Sequence, residues 1–435
     1  MPVPTRRLAA IAAVLAAVVV VLPLAMPLAL LVVNGVLLAV AVVDWRLAPR
    51  PGQLAVSRSL PAVVPLGGEG EVVWEVANGT ARRVSCELAD ELAPSLGAGS
   101  RRARLSVEPH GRSTVATTIR PTRRGRFEPS RVTLRVVGPL GLVARQEDVA
   151  VPGVLRVHPR YRSREQAELR IERARILEVG LRSARGRGAG TEFEALRDYS
   201  PDDESRRVDW AATARVGRPI VRTYRAERNQ PVLCLLDLGR TMAAQVDDAP
   251  RVEHAMDAVM MLTHVAGRLG DRVGLLAYDR EVRAVVAPGS GPLQLRRVTE
   301  ALHDLESVLA ESDHRRAFAT ALTRFRRRSL LVVCTELAEE ALQDTLLPAL
   351  PMIVRDHVVV IVSVVDPAVE RWARQRPDGA AGAYRRAAAV AALDERRRLV
   401  ARLRSLGATV VDEPPGELAP RLADTYLDAK ATGRL

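Results

Sequence analysis

Three carboxylates end apolar runs in the second half of this chain: Asp237 after PVLCLL, Glu336 after SLLVVCT and Asp366 after HVVVIVSVV. Continuous apolar runs of this length read as strands buried on both faces of a sheet. Open sheets of this kind bind ligands at the carboxyl ends of their strands. Asp237 is followed by Gly239 and Thr241, and Ser312 stands just before a helical stretch. A hard divalent cation takes a near-octahedral shell of carboxylate, hydroxyl and water oxygens. Asp237, Thr241, Ser312 and Glu336 are therefore the candidate ligands, and Mg2+ is the candidate cofactor.

Immediately before that first strand lies GTEFEALRDYSPDDESRRVDWAATAR, in which acids and arginines interleave. Its candidate contact residues are Arg197, Tyr199, Asp202, Asp203, Arg206, Asp209, Trp210 and Arg215. Exposed charges this closely mixed pair with one another and add little stability. Ser200-Pro201-Asp202 opens a turn, and Trp210 and Ala211 are expected to dock onto the sheet. The block reads either as a fixed polar loop that forms a protein-docking surface or as a strap that caps its domain.

Signs of catalysis are few. No serine sits in a nucleophile elbow, and no glycine-rich phosphate loop follows a strand. His254 and His264 are ten positions apart on one helix, which puts them about 80° off a common face. The expectation is a protein that is not an enzyme.

The elements that position these residues fall into four stretches: 1–46, 47–157, 158–230 and 231–435. Leu8 to Val43 carries no charged side chain and is interrupted by Pro23 and Pro27. About 20 apolar residues make one span, so this length predicts a hairpin of two transmembrane helices. Arg6 and Arg7 precede it, and Arg46 and Arg50 follow, which places both ends in the cytoplasm. A cleaved signal peptide is the competing reading, and it leaves the second apolar half without a role. From Leu54 to Val157, short alternating runs broken by Gly, Pro and Asn predict a β-sandwich with Trp74 in its core. Stretch 158–230 reads as a connector carrying the charged block. After Pro231, strands alternate with amphipathic helices as in a doubly wound α/β sheet.

The chain has 435 residues, a formal charge of +13 and 3% aromatics. No basic patch is interleaved with aromatics, so nucleic acid is not an expected partner. An anionic lipid surface of the inner membrane suits the charge better. Cys86, Cys234 and Cys334 have no metal or redox spacing, and two of them lie in apolar runs, as buried thiols do.

Two resemblances sharpen this reading. The end of the first strand resembles the metal-ion-dependent adhesion site of von Willebrand factor A domains, D-x-S-x-S with a later Thr and a later Asp. Here Gly239 stands at the first Ser, Thr241 at the second, Ser312 at the later Thr and Glu336 at the later Asp, so one oxygen ligand is missing. The charged block, RRGRF (Arg123 to Phe127) and GPLGL (Gly138 to Leu142) resemble the DUF58 family. That resemblance implies a multidomain protein: transmembrane hairpin, β-sandwich and an A-like, Rossmann-like α/β domain. It also implies a membrane-bound adaptor for a MoxR-type AAA+ ATPase. A metal-dependent adhesion-type domain and a metal-dependent hydrolase using Asp202, Asp203 or Asp237 are the alternatives.

Overall fold

A computed structural model describes residues 1–21, 26–184, 192–200, 208–225 and 230–435. It divides into two compact units, Met1–His158 and Pro159–Leu435.

The first unit opens with a short strand, β1 (Pro2–Pro4), and two apolar helices, α1 (Arg6–Val21) and α2 (Met26–Leu47). With 22 residues, α2 is about 33 Å long, enough for a bilayer core of about 30 Å. It is the one helix long and apolar enough to cross a membrane among the described residues. The 16 residues of α1 reach only about 24 Å.

Strands β2 (Leu54–Ser59), β4 (Gly70–Asn78) and β7 (Arg112–Ile119) form one antiparallel sheet. A second sheet runs β1, β10 (Val143–Ala150), β9 (Arg131–Val137), β5 (Val84–Asp90), β6 (Arg102–Val107). A third joins β3 (Val63–Pro65), β11 (Leu155–His158) and β8 (Gly125–Phe127). Alternate residues point to opposite faces of a strand. Val72, Trp74 and Val76 of β4 therefore share one core with Cys86 and Leu88 of β5 and Leu134 and Val136 of β9. Trp74 keeps its polar edge satisfied by donating from Nε1 to Asp90, 2.6 Å away. Arg124, in the RRGRF stretch, is buried.

In the second unit, stretch 158–230 is more than a connector. It forms α3 (Arg164–Ala184), β12 (Glu192–Asp198), α4 (Trp210–Val216) and β13 (Ile220–Arg225). Ala167 and Ile171 of α3 enter the main core of the unit, and β12 pairs antiparallel with β13. The main sheet then starts with β14 (Pro231–Asp237), followed by a two-strand ribbon, β15 (Gln245–Val246) and β16 (Ala249–Pro250), and by α5 (Arg251–Arg268). A hairpin of β17 (Arg272–Tyr278) and β18 (Val282–Gly289) precedes α6 (Pro292–His303) and α7 (His314–Arg324). Next come β19 (Leu330–Cys334), the short α8 (Glu339–Leu342) and α9 (Leu350–Asp356), and β20 (Val358–Val364). The chain closes with α10 (Pro367–Arg374), α11 (Gly379–Ser405), β21 (Thr409–Glu413) and α12 (Leu418–Ala431).

Strand order is β18-β17-β14-β19-β20-β21, all parallel except β18. One apolar cluster lies on each face of this sheet. The chain leaves β14 toward β17 and later returns to β19 on the other side, so the order reverses at β14. Asp237 ends that central strand, the position at which open sheets of this kind place their binding crevice.

Candidate functional site at the end of the central strand

Asp237 is 1% exposed, and its carboxylate is engaged on both oxygens. Oδ1 accepts from the Gly239 N–H at 2.8 Å and from the Ser312 hydroxyl. Oδ2 accepts from the Thr335 hydroxyl at 2.6 Å. Behind Thr335 stands His314, also 1% exposed, with Nε2 3.3 Å from the Thr335 hydroxyl and Nδ1 3.1 Å from that of Thr345. Its ring packs edge-on against Tyr278, with centroids 5.6 Å apart. Loops after β14 and β19 and the turn before α7 are thus tied to one carboxylate.

Gly239 makes this closure fit. A Cβ there would sit 2.1 Å from Ser312 Oγ and 3.0 Å from the Ala310 carbonyl. Ser312 therefore supplies Asp237 with a hydroxyl through space that any side chain at 239 would fill.

Of the four candidate ligands, the structure brings together Asp237 and Ser312 only. Thr241 lies in a single turn after β14, where its carbonyl accepts from Arg251 Nη1 at 3.0 Å. Glu336 faces a separate cluster: Arg396 Nη1 is 2.7 Å from Oε1, and Arg251 Nε is 3.0 Å from Oε2. Arg396 also grips Asp412 through Nε and Nη2, at 2.8 and 2.6 Å, and donates to Ser363 at 2.8 Å. Asp366 caps α10, accepting from Ala368 N at 2.8 Å. These residues do not fit a hard-cation shell, because Glu336 is neutralised by two arginines and Asp237 has its donors already. No group of three or more His, Cys, Asp or Glu suited to a metal occurs among the described residues. Thr335 and His314, the true neighbours of Asp237, carry no motif signal.

Burial sets the electrostatics here. Desolvation lowers the pKa of His314 from its ordinary 6.5, against the opposing pull of Asp237 and Asp313. Desolvation also lowers His264 and His357. A folded-state pKa below the unfolded one means the unfolded chain binds the extra proton. The stabilising contribution is then complete above pH 6.5 and is lost as the pH falls below it. Denaturant unfolding should show lower stability at about pH 5 than at about pH 7, and His314→Gln should flatten part of that slope. All three cysteines are buried, and desolvation pushes Cys86 to about 11 and Cys234 to about 12.

The charged block presents a different surface. Asp202, Asp203 and Arg206 lie outside the described residues. Asp209 is the N-cap of α4, its Oδ1 accepting from Ala211 N and Ala212 N at 3.0 Å. Trp210 was expected to dock onto the sheet; it is 72% exposed, and Ala212 is the residue of this helix that turns inward. Leu196, Tyr199 and Val216 are exposed as well. Tyr199 is fixed by its backbone N–H, 2.9 Å from the Pro219 carbonyl. Arg218 pairs with Asp198 at 3.1 Å, Arg197 donates to the Asp198 carbonyl, and Arg215 donates to the Ala211 carbonyl. The ribbon and the capped helix thus expose large apolar side chains among charges.

An apolar N-terminal helix, several β-sheets and an α/β region whose central strand end is closed define the class of protein. Residues 195–373 match the family described as protein of unknown function DUF58. Uncharacterized proteins of Mycobacterium bovis and Mycobacterium tuberculosis are 24% identical to it over 184 residues, 41% of this chain and 56% of theirs. The chain thus spans about half the length of the curated relatives it matches. Among solved structures, the CARDB domain of a Pyrococcus furiosus protein, in complex with di-metal ions, covers 22% of this chain and 86% of its own. Its identity is 19% and its TM-score 0.15. A FixG-related protein from Vibrio parahaemolyticus covers 24% and 96%, at 9% identity and a TM-score of 0.18. Scores this low define no shared fold.

Proposed function

We propose that this chain is a membrane-anchored, non-enzymatic adaptor whose second unit binds another protein through the β12–α4–β13 segment. The observation that carries the reading is the contrast between its two surfaces. The strand-end crevice satisfies its own carboxylate, while the adjoining family segment exposes Trp210 on a capped helix. Tryptophan is among the residues most enriched at the centres of protein interfaces. The strand order and the carboxylate at the central strand end support an A-like domain that has traded metal ligation for internal hydrogen bonds. The DUF58 resemblance names a MoxR-type AAA+ ATPase as the partner.

Two spans are proposed for the anchor. Thr5 donates from its backbone N–H to the Leu142 carbonyl, and Asp44 accepts from the N–H of Val143, so the apolar segment starts and ends on neighbouring residues of one loop. A chain that leaves and returns to one place crosses a bilayer an even number of times. Pairing of Pro2–Pro4 with Val143–Arg145 further supports retention of these first residues. The arginines at both ends favour a cytoplasmic orientation at the inner membrane.

Co-purification of the full chain from native membranes tests the adaptor reading. The ATPase should accompany the wild-type chain, and Trp210→Ala should reduce its recovery about tenfold or more, as loss of an interface anchor does. Equal recovery with the variant, correctly folded, would remove this surface from the account.

A further inference from the structure

We infer that the foot of the α1–α2 pair is a binding collar for the phosphate groups of anionic phospholipids, formed by Arg7, Arg46 and Arg145 around the Gly138–Leu142 loop. The inference rests on the membrane-anchored reading above and names the lipid that the anchor prefers.

The loop is held by the helices themselves. Thr5 Oγ1 donates to the Gly141 carbonyl at 2.6 Å. Asp44, fully buried near the end of α2, accepts from the backbone N–H groups of Leu140, Leu142 and Val143 at 2.7, 2.8 and 2.9 Å. A Cβ on Gly138 would stand 2.5 Å from Asp44 Oδ1, so glycine admits the carboxylate. The consequence is electrostatic. Asp44 is the only acidic residue before Glu69, and its charge is consumed by backbone amides instead of neutralising the arginines around it.

Those arginines are left for an outside anion. Arg6, Arg7, Arg46 and Arg50 are exposed, and Arg7 reaches across to Gly141. Arg145 lies over the Trp45 ring, 4.9 Å from its centroid, and donates from Nε to the Trp45 carbonyl at 3.0 Å. The stacking and the Nε bond together hold the guanidinium at the end of α2. None of these five arginines has a carboxylate partner among the described residues. A guanidinium fork matches phosphate geometry in a way that a point charge does not.

Apolar side chains fix where that phosphate must come from. Leu140, on the anchored loop, is 52% exposed, and Leu47, at the end of α2, is 50% exposed. Beside them runs the uncovered apolar surface of α2. An anion bound here lies at the hydrocarbon boundary, with Trp45 at the level where aromatic belts form. A lipid headgroup meets both demands, whereas a free phosphate meets one.

The test uses the purified full-length chain reconstituted in nanodiscs of phosphatidylcholine alone or mixed with phosphatidylglycerol, with bound lipid counted by native mass spectrometry. Wild-type protein should retain phosphatidylglycerol over phosphatidylcholine. Near an anionic surface each arginine contributes about fivefold, so the triple variant R7Q/R46Q/R145Q should lose on the order of a hundredfold of that preference. The triple Arg→Lys variant should keep most of it, which separates lost charge from a damaged fold. Equal retention of both lipids by wild type, or an unchanged preference in the glutamine variant, would overturn the collar. A wild-type chain that stays in the aqueous phase would overturn the membrane anchor and the collar together.

Discussion

Replacing Asp237 by Ala should destabilise the second unit by about 3 kcal/mol or more, because several buried donors lose their acceptor at once. The Gly239 N–H, the Ser312 hydroxyl and the Thr335 hydroxyl all converge on this carboxylate. Hydroxyls can rotate toward other acceptors, but the backbone N–H of Gly239 cannot. Three loops should loosen together. Equilibrium urea unfolding reads the loss, and hydrogen exchange should locate it at residues near 239, 312 and 335. Asp237→Asn keeps the volume and one carbonyl oxygen, so it should fall between wild type and Ala. A metal-site account expects something else: chelation of the wild-type protein would reproduce the effect of the mutation. The closed network expects no change on chelation.

The second large effect is expected at Arg396. Its guanidinium joins Glu336 after β19, Ser363 on β20 and Asp412 on β21. The side chains of Arg396, Glu336 and Asp412 are 13%, 11% and 17% exposed. Removing the cation leaves Asp412 without this partner and Glu336 with Arg251 alone, in a site with little solvent, and breaking one partner of a buried pair costs about 3–5 kcal/mol. Arg396→Ala should therefore lower stability by an amount in that range, measured again by urea unfolding. Arg396→Lys should recover only part of it, because an ammonium cannot form the two parallel bonds to Asp412. If the alanine variant unfolded like wild type, Glu336 would regain its place as a candidate ligand.

The order of elements in the α/β region was legible because its strands are continuous apolar runs ended by a polar residue. Asp279 and Arg280 lie in the short polar break between β17 and β18, which fits a hairpin. Other elements left weaker marks. Charged residues dominate α3, in which Ala167 and Ile171 are the core residues among those described, so no apolar stripe announced it. The prolines and short helices between Glu339 and Asp356 likewise give no sustained period.

At the site, Asp237 and Ser312 were visible from a strand end and a turn before a helix. Thr335 was not, because its neighbour Glu336 carries the stronger chemical signal. Successive residues of an extended chain point to opposite sides, so Thr335 turns to Asp237 and Glu336 turns to the arginines. His314 opens a helix with exposed arginines beside it and looks like a surface residue until the sheet buries it. Trp210 shows the reverse: a tryptophan beside a helix cap reads as core, and only tertiary structure leaves it outside.

The most direct measurement is a titration of the purified full-length chain with the MoxR-type ATPase, run with wild type and Trp210→Ala, each with Mg2+ and with a chelator present throughout. Nucleotide is omitted, so that chelation acts on this chain alone. Wild type should bind equally well under both conditions, and Trp210→Ala at least about tenfold more weakly under both. Binding that vanishes with the chelator and survives the loss of Trp210 would contradict this, and would return the interaction to a metal at the strand end.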